Sequence, residues 1–330
     1  MAIYILKRLC GMVVVLLVMS FIVFCLQSLI PADPARTLAG PSAPQETVDR
    51  MRKSMGLDEP LLVQYGHFLE RLSRGDLGTS IRTRQPVLHD INKYLPASLE
   101  LGASALILGL AIACLLAFLQ NVLQRSSALK LGILAVGSVP IFLSGLMLVY
   151  LLWFKLDWLP GAGRLNVRRF SGPTGFNIVD GLLVGRPDIS LDAAAHLVLP
   201  ALALALPLAV AVGRSLNGAL VDVLKQNFIR TARGKGLSEV NVILRHGLRN
   251  AASAPLAMIG LQFGVLFGNL LVVERVFAWP GLGLYMVQSF ATSDLPAVLG
   301  VSLIFGLIYI VISALIEIAQ SMADPRIALI

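Results

Sequence analysis

The sequence predicts an all-α, polytopic membrane protein with six transmembrane helices and an insert after the first, and three observations carry that expectation. Only 14% of the 330 residues are charged, the hydrophobic fraction is 56% and the mean hydropathy is +0.79, whereas a soluble domain carries about a quarter charged residues. Apolar runs of about 20 residues, long enough to cross a bilayer, recur along the chain. The short segments on one side of these runs are rich in Lys and Arg while the last segment on the other side has none, the pattern that orients helices with cations on the cytoplasmic side. A net charge of +8 could also mark a nucleic-acid binder. The cations are scattered among loops without an aromatic platform or a groove-reading motif, so no nucleic-acid partner is expected.

The first run, 9–30, follows Lys7 and Arg8. It exceeds the roughly 7–15 residues of a signal-peptide core and no A-x-A site follows it, so residues 1–30 should remain as an anchoring helix. Residues 31–96 read as an extracytoplasmic insert with nine basic and eight acidic residues. In DEPLLVQYGHFLERLSRGDLG, Asp58 can cap a helix with Pro60 in its first turn, and Leu61, Leu62, Tyr65, Phe68, Leu69 and Leu72 share one face. Such an amphipathic helix would lie on the bilayer or against the helix bundle.

Five further runs, 97–120, 131–153, 193–213, 253–273 and 297–320, make residues 97–330 a five-helix core. The segments between runs assign Arg125, Lys130, Arg214, Lys225, Arg230, Arg233, Lys235, Arg245 and Arg249 to the inside, while the outer loop 276–296 has no Lys or Arg. Both termini are then cytoplasmic. The segment 154–192, rich in Gly and Pro, reads as an ordered outer loop with turns. Cys10, Cys25 and Cys114 fall inside apolar runs without a C-x-x-C spacing, and read as packing residues. His67, His89, His196 and His246 do not cluster, and no metal site is expected.

The inner segment 217–250 is too organised for a tether. Val221, Leu224, Phe228 and Ala232 give a first short helix an apolar side, and Gly234 and Gly236 interrupt it. Ser238 can cap a second helix with Glu239 in its first turn. There Val240, Ile243, Leu244, Gly247 and Leu248 form one face, and Asn241, Arg245 and Arg249 a basic stripe. Two readings compete: cations that only set topology and touch anionic lipid, and a helix-turn-helix that docks a cytoplasmic partner. The capped helices and paired glycines favour docking.

Chemistry of its own is not expected. The only Gly-Lys pair, Gly234 and Lys235, is followed by Gly236 and lacks the upstream glycine of a phosphate-binding loop. H-E-x-x-H and G-x-S-x-G are absent, which argues against an intramembrane enzyme. The span interiors are almost free of ionisable groups, with Glu100 and Glu317 near span ends, which argues against an ion-gradient-driven secondary transporter or channel, the alternative reading. Within the fifth span, Gln262 and Asn269 are candidates for a translocation path, or else for an interhelical hydrogen bond. Gly260, Gly264 and Gly268 form a small-residue face for close helix approach.

The inner segment resembles the EAA loop of the membrane subunits of bacterial ABC importers, specifically the first-type permease subunit of the dipeptide/oligopeptide/nickel family. Arg230, Thr231 and Ala232 stand at the Glu-Ala-Ala positions and Gly236 at its glycine. Arg230 replaces the acid, and of the Ile-x-Leu-Pro ending only Leu248 matches, with Arg249 where proline would be. Further resemblances occur in order: ADP at Ala32–Pro34, GLDEPLLVQY at Gly56–Tyr65, DLGTS at Asp76–Ser80, PASLEL at Pro96–Leu101, ERVFAWPGLG at Glu274–Gly283 and DPR at Asp324–Arg326.

The resemblance implies the six-helix type I ABC importer permease fold in a bacterial inner membrane. It implies a coupling helix near 227–236 that enters a cleft of an ATPase, with Phe228, Arg230, Thr231, Arg233, Lys235 and Gly236 as contact positions. The implied partners are a second homologous permease, two ABC ATPase subunits and an extracytoplasmic solute-binding protein; ATP and Mg sit on the ATPases, and this chain binds no cofactor. The implied cargo is a dipeptide, oligopeptide, glutathione, nickel or a metal chelate. The Glu274–Gly283 segment corresponds to an outer gate built from Glu274, Phe277, Trp279, Pro280, Gly281 and Gly283. On residue types alone, the same segment is an aromatic belt at the membrane interface followed by a turn.

Overall fold

A computed structural model describes residues 2–28, 33–40, 42–122, 127–167 and 170–323. Arg125, Ala32 and the Asp324–Arg326 motif lie outside the described residues, as do the side chains of Lys7, Arg8, Cys10 and Lys130. Among the described residues the regular elements are helical, with one isolated antiparallel bridge between Thr79 and Pro86.

The helices are α1 (Ala2–Ser28), α2 (Pro34–Ala39), α3 (Gln45–Ser54), α4 (Leu61–Ser73), α5 (Val87–Val122), α6 (Ser127–Ser138), α7 (Ile141–Leu148), α8 (Asn177–Leu183) and α9 (Pro187–Leu224). They continue with α10 (Asn227–Gly234), α11 (Glu239–Asn241), α12 (Leu248–Ala251), α13 (Ser253–Val276), α14 (Leu282–Ala291) and α15 (Leu295–Ala323). Two π-helical stretches, Val149–Lys155 and Val242–Gly247, extend α7 and join α11 to α12. The chain divides into two compact units, Met1–Pro96 with Gly281–Ile310, and Ala97–Pro280 with Val311–Ile330.

In the first unit the amphipathic helix α4 lies against α1. The Tyr65 hydroxyl donates to the Leu17 carbonyl at 3.0 Å and meets the Ser20 hydroxyl at 2.9 Å, and Tyr65 and Phe68 stack among Phe21 and Phe24. Leu62 does not join this face and stays 70% exposed. Asp58 forms no cap, because extended Pro60 takes the position before the first turn and leaves Asp58 two residues too far upstream. A second core gathers Val87, Ile91, Leu282, Tyr285, Ala297 and Val301. Two of its six residues, Leu282 and Tyr285, come from 276–296, read as a loop, which contains the ten-residue helix α14. A search for runs of about 20 apolar residues passes over so short a helix.

Four helices have the length and hydropathy to cross a membrane over Val87–Asn121, Pro187–Leu224, Ser253–Val276 and Leu295–Met322. α1 adds 27 helical residues whose described apolar stretch is Gly11–Cys25. The expected straight span 131–153 is instead a pair, Leu131–Ser138 and Ile141–Lys155, bent by 104°. Pro140 explains the break: it removes one amide donor and holds its own backbone extended at φ −57°, ψ 141°, just before α7. The 38-residue α9 contains Pro200 and Pro207 and, at 1.5 Å per residue, runs to roughly 57 Å, well beyond the hydrocarbon thickness. Its excess length ends at the basic segment.

Candidate functional site

α9 stops at Leu224, and Gln226 then takes an extended conformation (φ −76°, ψ 155°) before α10 begins. That break resets the helical phase. The expected apolar side Val221, Leu224, Phe228 and Ala232 is therefore not one face: Val221 and Phe228 are exposed, Phe228 by 41%. Ile229 and Ala232 turn inward instead, and with Val242 form a small core closed by Val223, Leu224 and Leu237. Ile229 at 0% exposure is the anchor that the sequence reading missed.

The glycine bend is as expected. α10 ends at Gly234, and Gly236 takes φ +79°, a left-handed conformation that glycine adopts without steric cost. Ser238 caps α11 by accepting from the Asn241 amide at 3.4 Å. Across the bend the Arg233 Nε–H group donates to both Glu239 carboxylate oxygens at 3.0 and 3.1 Å. This hydrogen bonding holds the Arg233 guanidinium above its ordinary pKa, against a smaller opposing effect of burial. Arg233 thus spends its fork inside the hairpin.

The second helix also departs from its expected face. Val242, Ile243, Gly247 and Ala251 are buried, while Val240 and Leu244 are 49% and 54% exposed. The π-helical stretch is the cause: its i→i+5 bonding widens the turn, so Val242 and Gly247, five apart, fall on one side. A Cβ at Gly247 would lie 3.1 Å from the end of the Leu220 side chain, which would have to give by a few tenths of an ångström. Ala117, Leu216, Leu220 and Ala251 complete the seat. Asn241, Arg245 and Arg249 remain exposed as a stripe. Of the candidate contact residues, Phe228, Arg230, Thr231, Lys235 and Gly236 share the exposed surface of α10 and its bend, with Arg233 beside them in its ion pair.

The second candidate cluster lies at the C-terminal end of α13. Glu274, at 0% exposure, accepts a hydrogen bond from the Ser98 hydroxyl at 2.6 Å. The chain then turns through Ala278 at φ +47° and brings the Trp279 amide to the Glu274 carbonyl at 2.9 Å. The Trp279 indole N–H donates to the Ala97 carbonyl at 2.9 Å, and the Phe277 carbonyl accepts from the Gly163 amide at 2.9 Å. Phe277 and Trp279 are 1% exposed. They are interior anchors, which corrects the reading of an aromatic belt, because the Trp279 indole is tied to the Ala97 carbonyl and the Phe277 ring packs against Gly145.

Arg164 joins the same layer. It pairs with Glu100, lies 5.4 Å from the Trp279 ring centroid and donates to the Gly175 carbonyl at 3.0 Å. Glu100 also accepts from the Ile178 amide at 3.1 Å. Nothing in the sequence links Arg164 to Glu100, which lies 64 positions away. Pro280 is exposed, whereas Gly281 and Gly283 belong to the first unit, where both are buried at the start of α14. Gln262 and Asn269 are half-buried on α13, and among the described residues neither makes a side-chain hydrogen bond. A polar pair between helices is made elsewhere, by Asn121 donating to Asn217 at 2.9 Å. A Cβ at Gly260 would meet Ile316 at 3.5 Å, and one at Gly268 would meet nothing.

The described residues thus form a helical, multi-pass membrane protein with an exposed, folded basic hairpin between α9 and α13. Its family follows from comparison. Residues 105–329 match the family described as binding-protein-dependent transport system inner membrane component, and residues 1–102 match that system's N-terminal membrane component. The chain belongs to this family, and it is a permease of the ABC transport class, a multi-pass inner-membrane protein that is not itself the ATPase. It is 37% identical over 97% of its length to the probable D,D-dipeptide transport system permease protein of Escherichia coli strain K12, covering 96% of that protein. It is 35% identical to the glutathione transport system permease protein of Salmonella typhimurium, with 98% of each chain covered. The dipeptide transport system permease protein of Alkalihalophilus pseudofirmus is 34% identical, again with 98% of each chain covered.

Proposed function

We propose that this permease imports peptides or peptide-like solutes by ATP-driven alternating access, with segment 217–250 as the element that docks an ATPase. The observation that carries the docking role is the hairpin itself: Ile229, Ala232 and Val242 fix it to its own unit while Phe228, Arg230, Thr231 and Lys235 face outward. The similarity to dipeptide and glutathione permeases over 97–98% of the chain supports the solute class, and nickel or metal chelates belong to the range that the motif resemblance implies. The working assembly would hold a second homologous permease, two ABC ATPases carrying ATP and Mg, and an extracytoplasmic solute-binding protein.

Closure of the ATPases would pull on this hairpin and its counterpart, switching the permease pair between inward-facing and outward-facing states as a bistable rigid-body change. Gln262 and Asn269, polar and without side-chain partners among the described residues, are the candidates for the solute path. Glu274, Phe277, Trp279 and Pro280, with Gly281 and Gly283, form the candidate outer gate. Both termini would then be cytoplasmic, which reporter fusions at each end test. Deleting Arg230–Gly236 is expected to abolish solute uptake and ATPase co-purification while membrane insertion persists. An intact ATPase complex after that deletion excludes the docking role.

A further inference from the structure

The hairpin also specifies the chemistry of the cleft that would receive it. Its carboxylates each have a cation near them: Asp222, well exposed, lies 3.8 Å from Lys225, and Glu239 is hydrogen-bonded by Arg233. Among the described residues Arg230, Lys235, Arg245 and Arg249 form no ion pair, and all four are exposed. On the same helix α10, Phe228 is 41% exposed, two residues before Arg230. The hairpin therefore offers an exposed aromatic ring and four exposed cations without ion pairs among the described residues, while its two carboxylates each lie within ion-pair distance of a cation.

We propose that the ATPase cleft for this hairpin has an apolar pocket for Phe228 and a rim of carboxylates facing Arg230 and Lys235. This rests on the docking function proposed above. Two physical rules give the occupant its character. Aromatic side chains anchor interfaces by filling desolvated pockets, and complementary charge around such a pocket fixes register and excludes partners of the wrong sign. Anionic lipid would also attract the cations. It would not require the features that fix the geometry of α10, namely the Gly236 bend, the Ser238 cap and the Arg233–Glu239 bridge. A lipid headgroup adapts to any cation arrangement, whereas a protein cleft needs one.

The test uses the permease co-expressed with its partner permease and ATPases and purified as a complex in detergent, with retained ATPase measured across a salt series. Four variants are compared: Arg230→Glu with Lys235→Glu, Arg230→Gln with Lys235→Gln, Arg230→Lys, and Phe228→Ala. The charge-reversed double variant should retain at least about tenfold less ATPase than wild type, a loss of the size that charged-pair disruption produces at interfaces. The neutral double variant should fall between the two and lose most of its salt dependence, since screening acts only on charge. Arg230→Lys should stay near wild type, and Phe228→Ala should lose ATPase at every salt concentration.

Wild-type retention by the charge-reversed variant overturns the acidic rim. If that variant does not fold, the neutral double variant decides, and an unchanged salt dependence overturns the proposal equally. Should the Arg230–Gly236 deletion lose the ATPase while the charge-reversed variant keeps it, docking stands and only the acidic complement fails. Should the deletion also keep it, docking fails first. A charge-reversal effect confined to nanodiscs containing phosphatidylglycerol, and absent in detergent, assigns the cations to lipid and overturns the proposal.

Discussion

Glu274, Glu100 and Arg164 are shut away from solvent beside hydrogen-bonding partners, whereas Arg230, Lys235, Arg245 and Arg249 stand in solvent with no ion-pair partner among the described residues. Both clusters belong to the second unit. The contrast separates two uses of charge. A buried pair holds the fold, because removing one member strands the other in a poorly solvated place, at a cost of about 3–5 kcal/mol. An exposed, unpaired cation adds little to folding, and is free to recognise something else. Substitutions around Glu274 should therefore be read in stability, and substitutions around Phe228 in assembly.

The largest effect is expected from Trp279→Ala. A fully buried Trp truncated to Ala costs roughly 3–5 kcal/mol, and here the indole hydrogen bond to the Ala97 carbonyl is lost as well. Thermal unfolding of the purified permease should show a large drop in midpoint. A midpoint within a degree or two of wild type would mean that this end is looser than its geometry, and the contrast would collapse.

Arg164→Ala should follow closely, at about 3 kcal/mol, because it leaves Glu100 buried and unpaired. The side chains of Arg164 and Glu100 are only 12% and 8% exposed, so solvent cannot make up the loss. Adding Glu100→Gln should recover much of it by removing the stranded charge. If the double variant is no better than Arg164→Ala alone, the pair is not the unit that matters, and the contact of Arg164 with Trp279 becomes the stronger candidate.

The neighbours Ile229 and Phe228 sharpen the contrast inside the hairpin. Ile229→Ala empties a fully buried position and should cost about 2–4 kcal/mol locally, read as faster amide exchange in α10. Phe228→Ala, at a position 41% exposed, should change stability by less than about 0.5 kcal/mol while ATPase retention falls. Equal effects of both variants on exchange would show that Phe228 is a core residue in solution.

Which of these distinctions could be read from residue order depends on the range of the interaction. The apolar runs behind α5, α9, α13 and α15 were legible because hydropathy is local and additive over about 20 residues. The bend at Gly236 and the Ser238 cap were legible because each is set within a few residues. The 104° break at Pro140 was overlooked because the flanking hydropathy stays high on both sides. Phase errors account for the hairpin: the extended Gln226 and the π-helical turn at Val242–Gly247 each rotate everything downstream, so a 3.6-residue period picks Phe228 and Leu244 where the fold buries Ile229 and Val242. The Arg164–Glu100 pair was not legible at all, since only the folded chain brings them together.

The smallest effect is expected at the bridge between the two helices of the hairpin. Arg233 and Glu239 side chains are 43% and 57% exposed, so solvent screens their attraction and each single alanine should cost no more than about 0.5–1 kcal/mol. Stability is thus a poor readout for this pair. Its consequence should be orientational: without the bridge, α10 is held to α11 only by the Gly236 bend and the contacts of Ile229 and Ala232. Arg233→Ala and Glu239→Ala should each lower ATPase retention severalfold at nearly unchanged midpoint, and the exchanged pair, Arg233→Glu with Glu239→Arg, should restore it. If Glu239→Ala keeps full retention while Arg233→Ala loses it, Arg233 meets the partner directly. It would then join Arg230 and Lys235 on the docking surface instead of serving the fold.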